Sequence, residues 1–221
     1  MLRLAHRGDH AHVPENTLAA FEAAFARPGC DGAEFDVRVS ADGVAVVLHD
    51  ATLARVQGRP ERADSLTAAQ LRELGVPTLA DVLSACGPEA FLDIELKEDL
   101  GTTALEPIRV ARGLPDGSLS NAVVSAFEPA SISTVRRLAP AVACWLNVDD
   151  LEPATLDLAV ALGCRGISAD WRVIDARTAA AVAGAGLDLA AFTFTNRRML
   201  VRLERLGVVA ACVEGAALYA S

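Results

Sequence analysis

Residues 33–48 read AEFDVRVSADGVAVVL, and this stretch decides how the sheet of the chain is built. Its apolar residues predict two strands, Ala33–Val37 and Val44–Leu48, and the Asp42-Gly43 pair between them is a hairpin signal. A short turn can join only antiparallel strands, because parallel neighbours need a long crossover connection. The second strand is therefore predicted to be an extra antiparallel strand at the rim of a larger sheet.

The rest of the chain alternates short apolar segments with helical patterns. The further predicted strands are Leu2–Ala5, Phe91–Leu96, Ala122–Ser125, Val142–Leu146, Gly166–Ser168, Leu187–Phe194 and Val209–Val213. The predicted helices are Asn16–Ala26, with Leu18, Phe21 and Phe25 on one side, then Ala130–Leu138, Pro153–Leu162, Ala176–Ala185 and Arg197–Leu206. Repeated strand–helix units predict a parallel sheet, and setting the extra strand aside leaves eight strands for a closed TIM (β/α)8 barrel. An open doubly wound sheet is the alternative, although the turn after Leu2–Ala5 lacks the GxGxxG of nucleotide-binding sheets.

The length of the chain, 221 residues, suits one barrel domain over residues 1–221. The longest connection between strands covers residues 51–88 and contains two plausible helix starts, at Asp64–Thr67 and at Pro77–Leu79. We interpret it as an insertion between the second and third barrel strands that lies over the active-site end. It is too short to build a separate core.

Charge and cysteine usage exclude several classes of protein. The net charge is −9, Lys97 is the single lysine, and there is no basic run, which argues against nucleic acid and against a polybasic membrane anchor. No apolar stretch reaches the 20 or so residues that span a bilayer, and Met1–Ala5 already has the pattern of a core strand, leaving no room for a secretory signal. The five dispersed cysteines predict reduced thiols and a cytoplasmic protein.

Polar residues cluster where the predicted strands end, which is where TIM barrels carry their active sites. Glu34 and Asp36 lie two apart on one strand and therefore face the same side, as do Glu95 and Lys97 on another. Three carboxylates inside a barrel would repel one another unless a cation lay between them. Ligands that are all oxygen favour Mg²⁺ or Ca²⁺ over zinc, so we predict one divalent cation held by Glu34, Asp36 and Glu95.

The charges of this cluster indicate an anionic substrate. Three carboxylates, one divalent cation, Arg7 and Lys97 leave a charge near +1, which suits a phosphodiester. His6 and His49 follow separate strands, and histidine can donate or accept a proton near neutral pH. Each residue alone has a structural explanation, but their common position at strand ends predicts a phosphodiesterase site.

The sequence resembles the glycerophosphodiester phosphodiesterase family over nearly its whole length, in its compact cytosolic bacterial form. The motifs that carry the resemblance are His6-Arg7-Gly8, Pro14-Glu15-Asn16-Thr17, Glu34-Phe35-Asp36, His49-Asp50, Pro77-Thr78-Leu79, Glu95-Leu96-Lys97, Val124-Ser125-Ala126-Phe127-Glu128 and Phe192-Thr193-Phe194-Thr195. The resemblance implies hydrolysis of glycerophosphodiesters to sn-glycerol 3-phosphate and an alcohol. It also implies roles for the residues named above: His6 and His49 as the acid–base pair, Arg7 and Lys97 at the phosphate, and Glu34, Asp36 and Glu95 at the metal.

Two segments, Phe192–Thr195 and Ala211–Gly215, differ from the usual family pattern and lie where the glycerol or the leaving group is expected. Trp145, Asn147 and Trp171 are weaker candidates for the pocket wall, as are His10 and His12 in the loop after His6. A related barrel phosphodiesterase that acts on lysophospholipids or forms a cyclic phosphate is the alternative enzyme. A non-catalytic phosphodiester-binding barrel is a third hypothesis, which predicts the loss of a histidine or of a metal carboxylate, and this chain has lost none.

Overall fold

The computed structural model describes residues 1–87, 89–112 and 121–219. Its strands are β1 (Leu2–His6), β2 (Gly32–Val39), β3 (Ala45–Val47), β4 (Phe91–Leu96), β5 (Ala122–Ala126), β6 (Cys144–Val148), β7 (Gly166–Asp170), β8 (Asp188–Phe194) and β9 (Ala210–Val213). They form one sheet in the order β1-β9-β8-β7-β6-β5-β4-β2-β3, and β1 also pairs with β2. This last pairing closes the sheet, so the predicted TIM barrel is confirmed and the open doubly wound sheet is wrong.

The extra strand is β3, as the hairpin signal predicts. Among the described strands its neighbour is β2, to which it is antiparallel, with Val37 opposite Val47 and Val39 opposite Ala45. Val46 also forms an isolated antiparallel bridge with Thr78. Gly43 has a φ of 76°, which an L side chain rarely adopts, so the hairpin turn depends on glycine at this position. All other pairings in the sheet are parallel.

Helices on the outside of the barrel follow most strands. They are α1 (Leu18–Phe25), α2 (Ala68–Glu73), α3 (Leu79–Ala85), α4 (Thr102–Arg112), α5 (Pro129–Leu138), α6 (Pro153–Ala161), α7 (Ala176–Gly184), α8 (Arg197–Arg205) and α9 (Gly215–Leu218). The sequence did not predict α4, which contains Pro107 in its interior, where proline usually breaks a helix. The predicted face of α1 is partly wrong, because Leu18 is exposed; Phe21 is buried and Phe25 is partly buried, as expected, and Ala20 and Ala24 are buried as well.

The connection between β3 and β4 has two structural parts. Thr67 and Thr78 are the N-caps of α2 and α3, each in a capping box, at the two helix starts that the sequence indicates. Leu79, Val82 and Leu83 of α3 join the main barrel core. The remainder has a small apolar cluster of its own, which it builds with the extra strand: Val46, Leu48, Leu53, Ala63, Leu71 and Val76. Position 88, at the end of the predicted insertion, lies outside the described residues.

None of the helices in the described ranges combines the length and the apolar character that crossing a bilayer requires.

Candidate active site

The register of the barrel brings the predicted site residues together. His6 of β1 lies opposite Glu34 of β2, and Glu34 lies opposite Asp93 of β4. One step towards the carboxyl ends of the strands, Asp36 lies opposite Glu95. The side chains therefore form two layers at the end of the barrel where TIM-barrel sites are found.

Three of the predicted carboxylates form a compact buried group. Oxygens of Glu34, Asp36 and Glu95 all lie within 4.8 Å of one another. Glu34 is 3% exposed, yet neither of its carboxylate oxygens has a hydrogen-bond partner among the described residues. Burial, together with the charges of Asp36 and Glu95, raises the pKa of Glu34 well above its usual value. Buried oxygens without partners are the donors that a hard divalent cation takes, so these three residues fit the predicted metal.

The two predicted phosphate-binding residues contact the same carboxylates. The Lys97 ammonium lies 3.0 Å from Asp36 and also contacts Glu95, and Arg7 Nε lies 3.2 Å from Asp36. Burial alone would raise the pKa of Asp36, but the charges of Lys97 and Arg7 outweigh it and lower that pKa. The neighbouring cationic side chains therefore favour the ionised form of Asp36, whereas burial disfavours the ionised form of Glu34.

The two predicted acid–base histidines line one cavity of about 220 Å³. His6 Nδ1 lies 2.5 Å from Glu214, and its Nε2 lies 3.8 Å from Glu34. His49 Nδ1 lies 2.6 Å from Asp50, and burial lowers the pKa of His49. A carboxylate on Nδ1 fixes the orientation of each ring and leaves Nε2 for proton transfer.

The loop between β1 and α1 supplies a contact to which the sequence assigned no role. Asn16 is buried, and its Nδ2 donates to Asp36 over 2.8 Å. Arg7 and Asn16 both have positive φ, 56° and 57°. The backbone N–H of Asn16 donates to the backbone carbonyl of Arg7. A Cβ at Gly8 would lie 2.7 Å from Ala20 of α1, so only glycine lets this loop pack against the helix.

Ion pairs extend from the site to the connection after β3. Arg7 contacts Glu15, which also binds the guanidinium of Arg55, and Arg55 binds Asp50 beside His49. Arg55 therefore connects Glu15, which contacts Arg7, with Asp50, which contacts His49. The pairing of opposite charges was not visible from spacing, because Glu15 and Arg55 are 40 residues apart.

Two further acidic residues at the site were not predicted to act there. Asp93 lies opposite Glu34, next to the acidic trio formed by Glu34, Asp36 and Glu95. Asp93 accepts a hydrogen bond from Ser125, and burial raises its pKa to about 7. Glu214, directly after β9, contacts both His6 and His10, and these hydrogen bonds lower its pKa. The signal for Glu214 was its place after the last strand, within a segment that was noted only as atypical.

The cavity wall differs from the weaker expectations. Phe127 and Phe192 line it and form an edge-to-face pair with centroids 5.7 Å apart. Asn147 also lines it, as expected, whereas Trp145 is buried in an apolar cluster and stacks on Phe91. The remaining weaker candidates, Trp171, His10 and His12, are not among its lining residues.

The fold and the site define a TIM-barrel protein whose strand ends carry a buried acidic cluster and two histidines that line one cavity. Residues 6–215 match the model of the glycerophosphoryl diester phosphodiesterase family. The chain therefore belongs to this family, as the sequence motifs predict.

Two relatives show how far the similarity extends. The chain is 31% identical to the glycerophosphodiester phosphodiesterase of Caldanaerobacter subterraneus over 154 residues, 63% of each protein. It is 32% identical to glycerophosphodiester phosphodiesterase 1 of Rattus norvegicus over 61% of this chain and 45% of the relative. The chain thus matches less than two thirds of the length of these curated relatives.

Solved structures share the fold over almost the whole chain. A phosphodiesterase of Oleispira antarctica, in complex with the product sn-glycerol-3-phosphate, has a TM-score of 0.83, 24% identity, and coverage of 99% of this chain and 93% of its own. A glycerophosphodiester phosphodiesterase of Thermotoga maritima has a TM-score of 0.82, 22% identity, and coverage of 99% and 96%. At these identities the structures support the barrel fold alone.

Proposed function

We propose that this protein hydrolyses glycerophosphodiesters to sn-glycerol 3-phosphate and an alcohol with the help of one divalent cation, Mg²⁺ or Ca²⁺. The observation that carries the proposal is the position of His6 and His49 on one cavity with the buried trio Glu34, Asp36 and Glu95. The Oleispira structure, which holds sn-glycerol 3-phosphate in the same fold, supports the identity of the product.

The trio would hold the cation, which would act as a Lewis acid and orient the phosphate. Arg7 and Lys97 would bind the phosphate oxygens and balance the charge of the carboxylates around them. The side chains of Arg7 and Lys97 both contact Asp36, and this contact holds them at the site. Exposed Phe127 and partly buried Phe192, which pack against each other, would contact the apolar carbons of the substrate.

The two histidines would move the protons of the reaction. One accepts the proton of the attacking hydroxyl as the new P–O bond forms, and the other protonates the alcohol oxygen as the old P–O bond breaks. Asp50 and Glu214 hold Nδ1 of the two rings, so each Nε2 remains available for these transfers. Whether water or a substrate hydroxyl attacks, the same proton balance applies.

We also propose that residues 1–221 act as one phosphodiesterase domain, with an insertion over residues 51–88, in the cytoplasm. The site draws on residues from β1 to the turn after β9, which supports a single functional unit. All five cysteines are free thiols, as expected in a reducing compartment.

The direct experiment is to incubate the purified protein with glycerophosphocholine and measure sn-glycerol 3-phosphate with a coupled dehydrogenase. We expect product with Mg²⁺ or Ca²⁺ and none in excess chelator. Failure to release it from glycerophosphocholine and from glycerophosphoethanolamine with either metal would refute the proposed hydrolysis.

A further inference from the structure

A second group of potential metal ligands lies beside the acidic trio. Nδ1 of His6, Nε2 of His10 and a carboxylate oxygen of Glu214 all lie within 4.8 Å of one another. The Glu214 oxygen is 2.5 Å from His6 and 3.5 Å from His10. Two imidazoles and a carboxylate are a ligand set that binds zinc with a fourth position left open to water. By contrast, the trio offers only oxygen, which suits Mg²⁺ or Ca²⁺.

We infer that His6, His10 and Glu214 form an inhibitory site for Zn²⁺ or a similar transition-metal ion. In a tetrahedral zinc site with bonds of about 2.0–2.1 Å, ligand atoms lie about 3.3 Å apart. The His10–Glu214 separation already has this value to within a few tenths of an ångström. The His6–Glu214 separation would need to widen by about 0.8 Å, as expected when a metal replaces the proton of a short hydrogen bond.

The ligands can be reached without entering the substrate cavity. His10 and Glu214 line a separate cavity of about 210 Å³, together with Gly8, Thr195 and Tyr219. His6 lines the substrate cavity, and it contacts Glu214. The side chains of His10 and Glu214 are 29% and 30% exposed. An ion can therefore enter from the second cavity and reach the Nδ1 side of His6 while substrate and the catalytic cation occupy the other side.

Zinc at this position would stop His6 from transferring protons, an inference that rests on the function proposed above. The metal would use the lone pair of Nδ1, so Nε2 would carry the ring's remaining proton; it could accept no other, and donating this one would leave an imidazolate. The proton of the short His6–Glu214 hydrogen bond would move from Nδ1 to Nε2 or leave to solvent as zinc binds. Inhibition should then persist at saturating Mg²⁺, because the two metals occupy different ligands.

The experiment compares His10→Gln with His12→Gln. His12 is an exposed histidine of the same loop outside the cluster, so its variant controls for the loss of a loop imidazole. Zinc binding to residues 1–221 is measured by calorimetry in saturating Mg²⁺, which fills the trio. We expect one zinc per wild-type or His12→Gln chain, and at least tenfold weaker binding to His10→Gln.

Turnover of glycerophosphocholine is then titrated with zinc, each variant being compared with its own zinc-free rate. His10→Gln should require at least tenfold more zinc for half inhibition than wild type, and His12→Gln should match wild type. Equal zinc binding by His10→Gln and wild type would overturn the inference, as would relief of inhibition by raising Mg²⁺ tenfold. Calorimetry measures zinc binding independently of turnover. A protein that is inactive on glycerophosphodiesters would therefore refute the proposed function, while the calorimetry would still test the zinc site.

Discussion

The Nδ2 of Asn16 donates to Oδ2 of Asp36 over 2.8 Å, and this hydrogen bond fixes one member of the buried acidic trio. The backbone of Asn16 is left-handed where it makes this contact, with a φ of 57°. Residues that orient metal ligands typically change metal affinity 10- to 100-fold when they are removed. Asn16 is therefore predicted to be a determinant of metal affinity in this protein.

Asn16→Gly tests this prediction without straining the backbone, since glycine adopts positive φ freely. The Mg²⁺ or Ca²⁺ concentration for half-maximal activity should rise by about 10- to 100-fold. Asn121→Gly is the matched control, because Asn121 also has a positive φ, 55°, but precedes β5 at the opposite end of the barrel. Unchanged metal dependence in Asn16→Gly would show that Asp36 needs no such support.

Removing the charge of Glu34 is predicted to stabilise the metal-free protein and to weaken the stabilisation that metal provides. Without metal, its two unpartnered oxygens are buried beside Asp36 and Glu95, so Glu34→Gln should raise Tm in excess chelator. With metal, wild type should gain about 2.7 kcal/mol at a hundred times Kd, whereas Glu34→Gln should gain much less. Thermal unfolding with chelator, Mg²⁺ or Ca²⁺ measures both effects, and exposed Glu204→Gln is the control.

The dependence of turnover on metal is a second test of the same three metal ligands. Chelation should abolish turnover, and Mg²⁺ or Ca²⁺ should restore it in wild type. Full turnover in excess chelator would contradict the assignment of Glu34, Asp36 and Glu95 as metal ligands.

The strand-end motifs were sufficient to predict the barrel and the proximity of the three carboxylates, whose role at a metal stays a prediction. Strand periodicity and the Asp42-Gly43 turn distinguish β3 from the barrel strands, and parallel register then brings Glu34, Asp36 and Glu95 together. These features are local or follow from the closed topology. The contacts of Asn16 and Glu214 were not predictable, because they depend on how loops far apart in sequence meet at the rim. Helix α4 was missed because Pro107 opposes the helical pattern.

His6 and His49 are predicted to carry the proton transfers. His6→Ala and His49→Ala should each lower kcat by a hundredfold or more, since general acid–base groups contribute about 10²–10⁴. Metal binding measured by calorimetry should change little, because neither residue belongs to the oxygen trio. His12→Ala, which removes an exposed histidine, should keep wild-type kcat. Wild-type kcat in His49→Ala would rule out the two-histidine mechanism.

Tyr219 is predicted to stabilise the fold in a pH-dependent way. Its hydroxyl donates to Asp9 over 2.8 Å, and Arg27 also binds Asp9. Burial alone would raise the pKa of Asp9, but these hydrogen bonds outweigh it and lower that pKa. A carboxyl group whose folded pKa is lowered stabilises the protein above its unfolded pKa, about 3.9, and loses this effect as pH falls through the folded value.

Tyr219→Phe should therefore lower the free energy of unfolding by about 1 kcal/mol at pH 7, because Tyr219 is partly exposed. The difference between the two proteins should shrink below about pH 4. Phenylalanine keeps the ring against the Arg27 guanidinium, so the variant isolates the hydrogen bond. Denaturant unfolding at intervals from pH 7 to about pH 2 measures the difference, and a difference that stays constant over this range would contradict the role of ionised Asp9.

The substrate is predicted to be a small water-soluble phosphodiester, because the connection after β3 offers no surface suited to a membrane. Each of its arginines is paired with an acidic residue: Arg55 with Glu15 and Asp50, Arg59 with Glu61, Arg62 with Asp64, and Arg72 with Asp81. Binding to anionic lipid requires unpaired basic residues or a basic amphipathic helix, and the net charge of −9 opposes it further.

The test compares kcat/KM for glycerophosphocholine and glycerophosphoethanolamine with that for the corresponding lysophospholipids, under the same metal and salt. Each deacylated compound should be hydrolysed faster than its acylated partner, because the cavity of about 220 Å³ is lined mainly by charged and polar side chains, which suit a head group better than an acyl chain. The two head groups control for a preference that depends on the alcohol. If both acylated compounds are preferred, the enzyme acts on lysophospholipids, and the exposed ring of Phe127 at the cavity becomes the first candidate contact for the acyl chain.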